Sequence, residues 1–252
     1  MRYLILSDLH GNAEAFTAVL QRLKRKRFDR VICLGDFVGY GADPNKVVDQ
    51  FRTLRFPTVA IRGNHDKVAA GLEEGKTFNA TALEAARWTQ ERLSKENADF
   101  LRRLPVGPAI VDESFMVCHG SPLDEDSYIF SDADASLNFM VVERIAPGTQ
   151  LCFFGHSHIP SIFTLAGERI RVEAVRKART KLVLEKGKRY LVNPGSVGQP
   201  RDRNPKASYA IYDSKEGTVL FDRVPFDVGR TRSKILRAGL PQLLGDRLAF
   251  GL

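Results

Sequence analysis

The chain has only five histidines, and all of them sit in short turns that also carry glycine or a second polar donor. The contexts are Ser7-Asp8-Leu9-His10-Gly11-Asn12, Gly63-Asn64-His65-Asp66, Cys118-His119-Gly120 and Gly155-His156-Ser157-His158. A further turn of the same kind, Leu34-Gly35-Asp36, adds a carboxylate. Imidazole, carboxylate and amide side chains are the donor set of a divalent first-row transition metal. Glycine beside them lets the backbone turn tightly and approach an ion or a phosphate. Taken singly, each piece has an ordinary explanation. A strand-end Asp8 caps the next helix, and His119 is a polar strand end. His156 and His158 stand two apart, which on an extended chain puts them on one side. The conjunction is what points to metal chemistry.

Each turn closes an apolar run that reads as a strand. Tyr3–Leu6 precedes Asp8, Arg30–Leu34 precedes Asp36, Thr58–Ile61 precedes Asn64 and His65, Phe115–Cys118 precedes His119, and Leu151–Phe154 precedes His156. Between the first three strands, Ala15, Phe16, Val19, Leu20 and Leu23 recur at helical spacing. Val47, Val48, Phe51 and Leu54 do the same after Asp43-Pro44, with Asp43 as expected N-cap and Pro44 in the first turn. This βαβαβ order predicts a parallel sheet under covering helices. Ligands of such sheets lie beyond the carboxyl ends of the strands, so the turns are expected to aim at one rim.

The remainder reads as helical over residues 79–104, with Asn79 as N-cap, and a hairpin around Asp112-Glu113-Ser114. A helix over 134–145 follows, then alternating strands from Ser161 to Val192 and a hairpin around Lys215-Glu216-Gly217. A last helix runs from Asp227 to Gly239. Residues 1–252 are expected to form one domain, with 225–252 a C-terminal helical extension.

Composition narrows the class. Of 252 residues, 43% are hydrophobic and 27% charged, which is ordinary for a globular chain. No run of about 18 uncharged apolar residues occurs, so no membrane span is expected. Cys33, Cys118 and Cys152 lie in or beside apolar runs without paired C-x-x-C spacing, so buried thiols and a cytoplasmic location are the expectation. The net charge of +8 is uneven: residues 21–30 hold +5, residues 162–190 hold +6, and residues 112–143 hold −8. Basic regions attract anionic substrates. The acidic stretch just around His119 would repel a polynucleotide, so no stable nucleic-acid complex is expected.

The ordered set D-x-H, G-D, G-N-H-D, H-G and G-H-S-H resembles the calcineurin-like metallophosphoesterase superfamily. The strings LGDFVGYG and NPGSVGQPR are similar to its small bacterial and archaeal members, phosphodiesterases and dinucleoside-polyphosphate hydrolases among them. The resemblance runs from residue 1 to about 225. It implies an α/β, four-layer αββα sandwich, and a hydrolase of phosphate ester or phosphoanhydride bonds. It also implies two divalent ions (Mn, Fe, Zn, Co or Ni). Asp8, His10 and His158 would hold one; Asn64, His119 and His156 would hold the other; Asp36 would bridge them. Paired cations lower the pKa of a shared water and neutralise charge that develops on phosphoryl oxygens. His65 would be the general acid, oriented by Asp66. Asn193-Pro194-Gly195-Ser196 resembles the family's last turn near the site, so Asn193 is a candidate substrate contact, a simple strand-ending turn being the equal alternative. Arg201 and Arg203 just beyond it are candidate phosphate contacts or, equally, solvent-exposed loop residues. The expected substrate is a small phosphorylated molecule, a nucleotide above all, and a homo-oligomer is compatible with the sequence. The competing readings are a DNA or RNA nuclease, a protein phosphatase, and a non-catalytic scaffold; the complete ligand set argues against the last. The loops Leu72–Asn79 and Ser121–Ser136 follow site turns and are expected to shape specificity.

Overall fold

The computed structural model describes residues 1–252. Alternation along the strands dictates its layering. In β1 (Arg2–Leu6), Tyr3 and Ile5 face one side while Leu4 and Leu6 face the other, and both sides are buried. The same holds for β5 (Phe115–Val117) and β6 (Leu151–Phe153): Phe115, Val117, Leu151 and Phe153 point one way, Met116 and Cys152 the opposite way. A strand apolar on both faces must be covered on both. Two sheets therefore stack on each other and each carries helices outside.

The first sheet has the order β3-β2-β1-β11-β12-β9. Its strands β1, β2 (Arg30–Cys33) and β3 (Thr58–Ala60) are parallel, as the βαβαβ pattern predicted. β11 (Ala207–Asp213), β12 (Thr218–Val224) and β9 (Arg179–Val183) extend it antiparallel. The second sheet has the order β4-β5-β6-β10-β7-β8. Here β5, β6 and β10 (Lys188–Asn193) are parallel, while β4 (Ala109–Val111) pairs antiparallel with β5, and β7 (Ser161–Ala166) and β8 (Arg169–Ala174) follow β10 in two successive antiparallel pairs. Tyr3, Ile5 and Tyr212 from one sheet and Phe115, Phe153 and Val192 from the other fill the inter-sheet core. Helices α1 (Ala13–Leu23) and α2 (Pro44–Arg52) cover the first sheet, and α6 (Asp132–Ile145) covers the second. This is the four-layer αββα sandwich.

Three local expectations change. Residues 79–104 form two helices, α4 (Ala80–Arg92) and α5 (Lys95–Arg103). Leu93 is extended, and Ser94 starts α5 by accepting from the Asn97 amide. Asn45 fixes the break, donating to the Arg92 carbonyl at 2.7 Å and accepting from the Ser94 amide at 2.8 Å. Asp43 stands before α2 but its carboxylate makes no cap; it takes a bond from Lys234 Nζ at 2.6 Å. A short helix, α3 (Asn64–Ala69), begins inside the Gly-Asn-His-Asp turn. Beyond β12 the chain forms α7 (Val228–Arg237) and α8 (Gln242–Asp246), and Ile235 and Leu244 from these pack with Ala82, Ala85 and Tyr40. No helix is long and apolar enough to cross a membrane.

Candidate metal centre

Five of the seven residues proposed as ligands share an unusual backbone. Asp8, His10, Asp36, His156 and His158 have φ between 47° and 62°, and only three other non-glycine residues of the chain have positive φ. L-residues adopt this region at a cost, and such strain gathers where surrounding structure holds it for function. Here the surroundings are hydrogen-bonded turns. The Asp8 amide donates to the Gly35 carbonyl at 3.1 Å and the His10 amide to the Asp36 carbonyl at 2.9 Å, locking the turns after β1 and β2 together. The Gly155 amide reaches the His119 carbonyl at 2.7 Å and joins the turns after β5 and β6. Across the two sheets, the His156 amide donates to Asp8 Oδ1 at 3.3 Å. The rim is thus shared by two sheets rather than made by one.

The donor atoms fall into two groups. Those of Asp8, His10, Asp36 and His158 lie within 4.8 Å of one another, as do those of Asp36, His119 and His156. Asp36 belongs to both. Asn64 joins the second group, its Oδ1 at 3.0 Å from His119 Nε2. The chain is not extended at His156 and His158, so the expectation of a shared side does not hold; the bend sends each ring to a different group.

The chemistry of these donors fits cations. His10, His119 and His158 each turn Nδ1 to a backbone carbonyl: Val38 at 3.0 Å, Leu34 at 2.8 Å and Gln199 at 2.6 Å. A carbonyl only accepts, so Nδ1 carries the proton, and in a neutral ring Nε2 is left with its lone pair. Those of His10 and His158 converge, while Asp36 keeps a second proton on His119 Nε2 that a cation would displace. His10 Nε2 and His158 Nε2 are 3.0 Å apart, and His10 and His119 each place Nε2 3.5 Å from Asp36 Oδ2. His158 Nε2 is 3.4 Å from Asp8 Oδ1, while buried Asp8 Oδ2 has no hydrogen-bond partner. Lone pairs facing each other at these distances are repulsive without a positive charge among them. The titration behaviour agrees. Burial holds His10 and His158 well below the usual imidazole range and pushes Asp8 up to about 7. Burial would raise Asp36 too, but the charges of His119, His65 and His10 and the His119 hydrogen bond carry it below the usual carboxylate range.

Beside the groups lies a pocket of about 230 Å³. Asp36, Asn64, His65 and His156 line it beside the donor groups, and Tyr40, Phe78, Asp126, Tyr128 and Arg201 are among its other lining residues. His65 is buried, its ring 4.4 Å from Tyr40 and 4.6 Å from Phe78 between centroids. Burial lowers its pKa to about 4. Asp66 does not orient it. The Asp66 carboxylate accepts from the Val38 amide at 3.2 Å and the Gly63 amide at 3.1 Å, which makes it the cap of α3. The aromatic walls hold His65 instead. Arg201 lines the pocket as expected, with its guanidinium 5.5 Å from the Tyr40 ring centroid and bonded to Gln199 Oε1 at 2.9 Å. Asn193 does not line it. Asn193 is fully buried; its Nδ2 donates to the Gly155 carbonyl at 2.7 Å and Ser157 Oγ at 3.0 Å, and its Oδ1 accepts from the Gly195 amide at 2.8 Å. With its polar atoms so engaged, it braces the Gly155–His158 turn and leaves nothing for substrate.

Three participants were not singled out in the sequence. Tyr40 lies within the quoted LGDFVGYG string, but an aromatic residue carries no signal of its own there. Tyr128 stacks on His156 at 4.0 Å between centroids. Lys67, one residue past Asp66, is buried and donates to Glu125 Oε1 and Asp126 Oδ2, both at 2.8 Å, with Glu73 Oε2 at 3.5 Å. It ties both loops around the pocket to α3, and gives part of the acidic stretch a local counter-charge.

The fold and this site define a phosphoesterase of the metal-dependent kind. The model of the calcineurin-like phosphoesterase superfamily domain matches residues 1–217. An uncharacterized protein of Methanocaldococcus jannaschii is 37% identical over 254 residues, covering 98% of this chain and 97% of the relative. A metallophosphoesterase from Sphaerobacter thermophilus superimposes with a TM-score of 0.85 at 36% identity, covering 100% of this chain and 99% of that one. A hypothetical protein of Pyrococcus horikoshii shares the fold, with a TM-score of 0.79 at 21% identity and coverage of 100% and 98%. The chain belongs to the calcineurin-like phosphoesterase superfamily, and it is a hydrolase.

Proposed function

We propose that the chain hydrolyses a phosphodiester or phosphoanhydride bond of a small nucleotide with two divalent cations. Asp8, His10 and His158 hold one cation, Asn64, His119 and His156 the other, and Asp36 both. The observation that carries this reading is the convergence of the Nε2 atoms of His10, His119 and His158 on Asp36 and Asp8. Such cations supply Lewis acidity toward phosphoryl oxygens and a nucleophile available at neutral pH.

The chain's own groups do the rest. Arg201, which lines the same pocket as Asp36, offers N–H donors to a phosphoryl oxygen. His65 protonates the leaving oxygen. Its ring is neutral in the free protein because burial lowers its pKa to about 4. An anionic substrate beside it raises its proton affinity, so the ring takes up the proton it donates from solvent as substrate binds. Tyr40 and Phe78 exclude water around that ring. The aromatic walls Phe78 and Tyr128 support a planar base as part of the substrate. A groove for a long polynucleotide has less support, because Asp126 lines the pocket.

The test is hydrolysis of bis(p-nitrophenyl) phosphate by protein stripped of metal and then loaded with Mn, Co, Ni, Zn or Fe(II). Turnover is expected only after loading. Turnover by stripped protein, or none with every metal, contradicts the proposal.

A further inference from the structure

We propose that a second, basic pocket joined to the metal centre through Arg201 binds the distal phosphates of a nucleoside polyphosphate. The inference rests on the phosphoesterase reading and narrows its substrate to one with a phosphate chain beyond the scissile bond.

Arg201 lines both pockets. On its far side the second pocket, of about 640 Å³, is walled by Arg176, Arg203 and Asn204 together with Pro160 and Val175. Its one acid, Asp202, is already committed: Arg223 grips both carboxylate oxygens, with Nη1 at 3.2 Å from Oδ1. Arg176, Arg201 and Arg203 have no carboxylate partner, because the one acid among them is held by Arg223. Three unpaired guanidinium groups around one concavity repel one another, and an anion relieves that repulsion. Guanidinium forks match phosphate oxygens in geometry as well as in charge.

The pocket is also held in shape. Arg203 has φ +62, and its amide donates to the Gly251 carbonyl at 2.9 Å, so the chain's last turn braces the loop. Gly251 itself has φ +63, and a Cβ there would meet the backbone of Asn204 at 2.5 Å. Val175 bonds back to the Pro160 carbonyl at 2.9 Å, next to the Gly155–His158 turn in sequence. A phosphate chain leaving the metal centre past Arg201 therefore enters a braced cationic recess. A simple diester has nothing to put there.

The experiment is titration calorimetry of Mn-loaded protein with inorganic tripolyphosphate and with orthophosphate, at fixed excess Mn so that sequestration is equal in every run. Wild-type protein is expected to bind tripolyphosphate more tightly than orthophosphate. Arg176→Ala should weaken tripolyphosphate roughly ten-fold, the effect of one lost charge-assisted hydrogen bond, and leave orthophosphate unchanged. Equal loss for both ligands, or no loss for either, overturns the subsite. Tighter binding of a single-stranded oligonucleotide than of tripolyphosphate, lost in the same variant, also overturns it and gives the recess to a polynucleotide. Binding needs no turnover, so absence of diester hydrolysis with Arg176-dependent tripolyphosphate binding would reject the phosphoesterase reading alone.

Discussion

His65 and Asn64 are adjacent in the chain but differ in surroundings, and the difference separates their roles. Asn64 Oδ1 lies against His119 Nε2, within the donor set. His65 Nδ1 is buried with no partner, and its ring packs on Tyr40, Phe78 and His10. Loss of the His65 ring should therefore remove proton transfer without emptying the site. His65→Ala is expected to lower kcat by about 10²–10⁴-fold with metal content, measured by plasma mass spectrometry, unchanged; loss of metal would place His65 among the ligands instead. The candidate ligands were legible from residue types because all five histidines, with Asp8, Asp36 and Asn64, fall in short turns that close apolar runs. The roles of Asp66 and Asn193 were not. Both carry polar groups beside the site, and only coordinates reveal that backbone amides and carbonyls consume them.

At the scale of elements, the strands deliver the donors and the turns aim them. Strand ends were readable from apolar runs stopped by glycine. The helix α3 was hidden, because its first residues are the same Asn64, His65 and Asp66 that signal chemistry. The break between α4 and α5 was hidden as well, since its cause is Asn45, far away in sequence. Close packing of turn on turn makes one glycine decisive. Gly63 has φ −99 and ψ 173, which alanine adopts freely, but a Cβ there would collide with the Asp36 carboxylate. Gly63→Ala should displace Asp36 and reduce bound metal strongly, while circular dichroism still reports the folded sandwich. Full metal occupancy in this variant would mean that Asp36 has room to move.

For the whole molecule, the two sheets matter as partners. The first carries Asp8, His10, Asp36 and Asn64 at the ends of β1, β2 and β3; the second carries His119, His156 and His158 at the ends of β5 and β6. Neither sheet alone completes either group of donors. Strand and helix order predicted a parallel sheet under helices, the family resemblance implied the four layers, and the meeting of two rims follows from which faces stack. This assembly buries charge, and the buried charge makes metal uptake depend on pH. In the metal-free protein, burial raises Asp8 to about 7. Burial would lower His119, but the charge and hydrogen bond of Asp36 outweigh it and raise His119 to about 10. Both groups thus hold protons near neutral pH that a cation must displace. Apparent metal affinity should rise with pH from about 6 to 8, with proton release detectable as a buffer-dependent calorimetric heat. Affinity independent of pH would show that the donors are already deprotonated.

Anomalous diffraction at the manganese edge, from crystals of Mn-loaded protein, tests the paired cation site most directly. Two peaks are expected to flank the Asp36 carboxylate, one among Asp8, His10 and His158 and the other among Asn64, His119 and His156. A single peak, or peaks remote from Asp36, would contradict the two-cation centre.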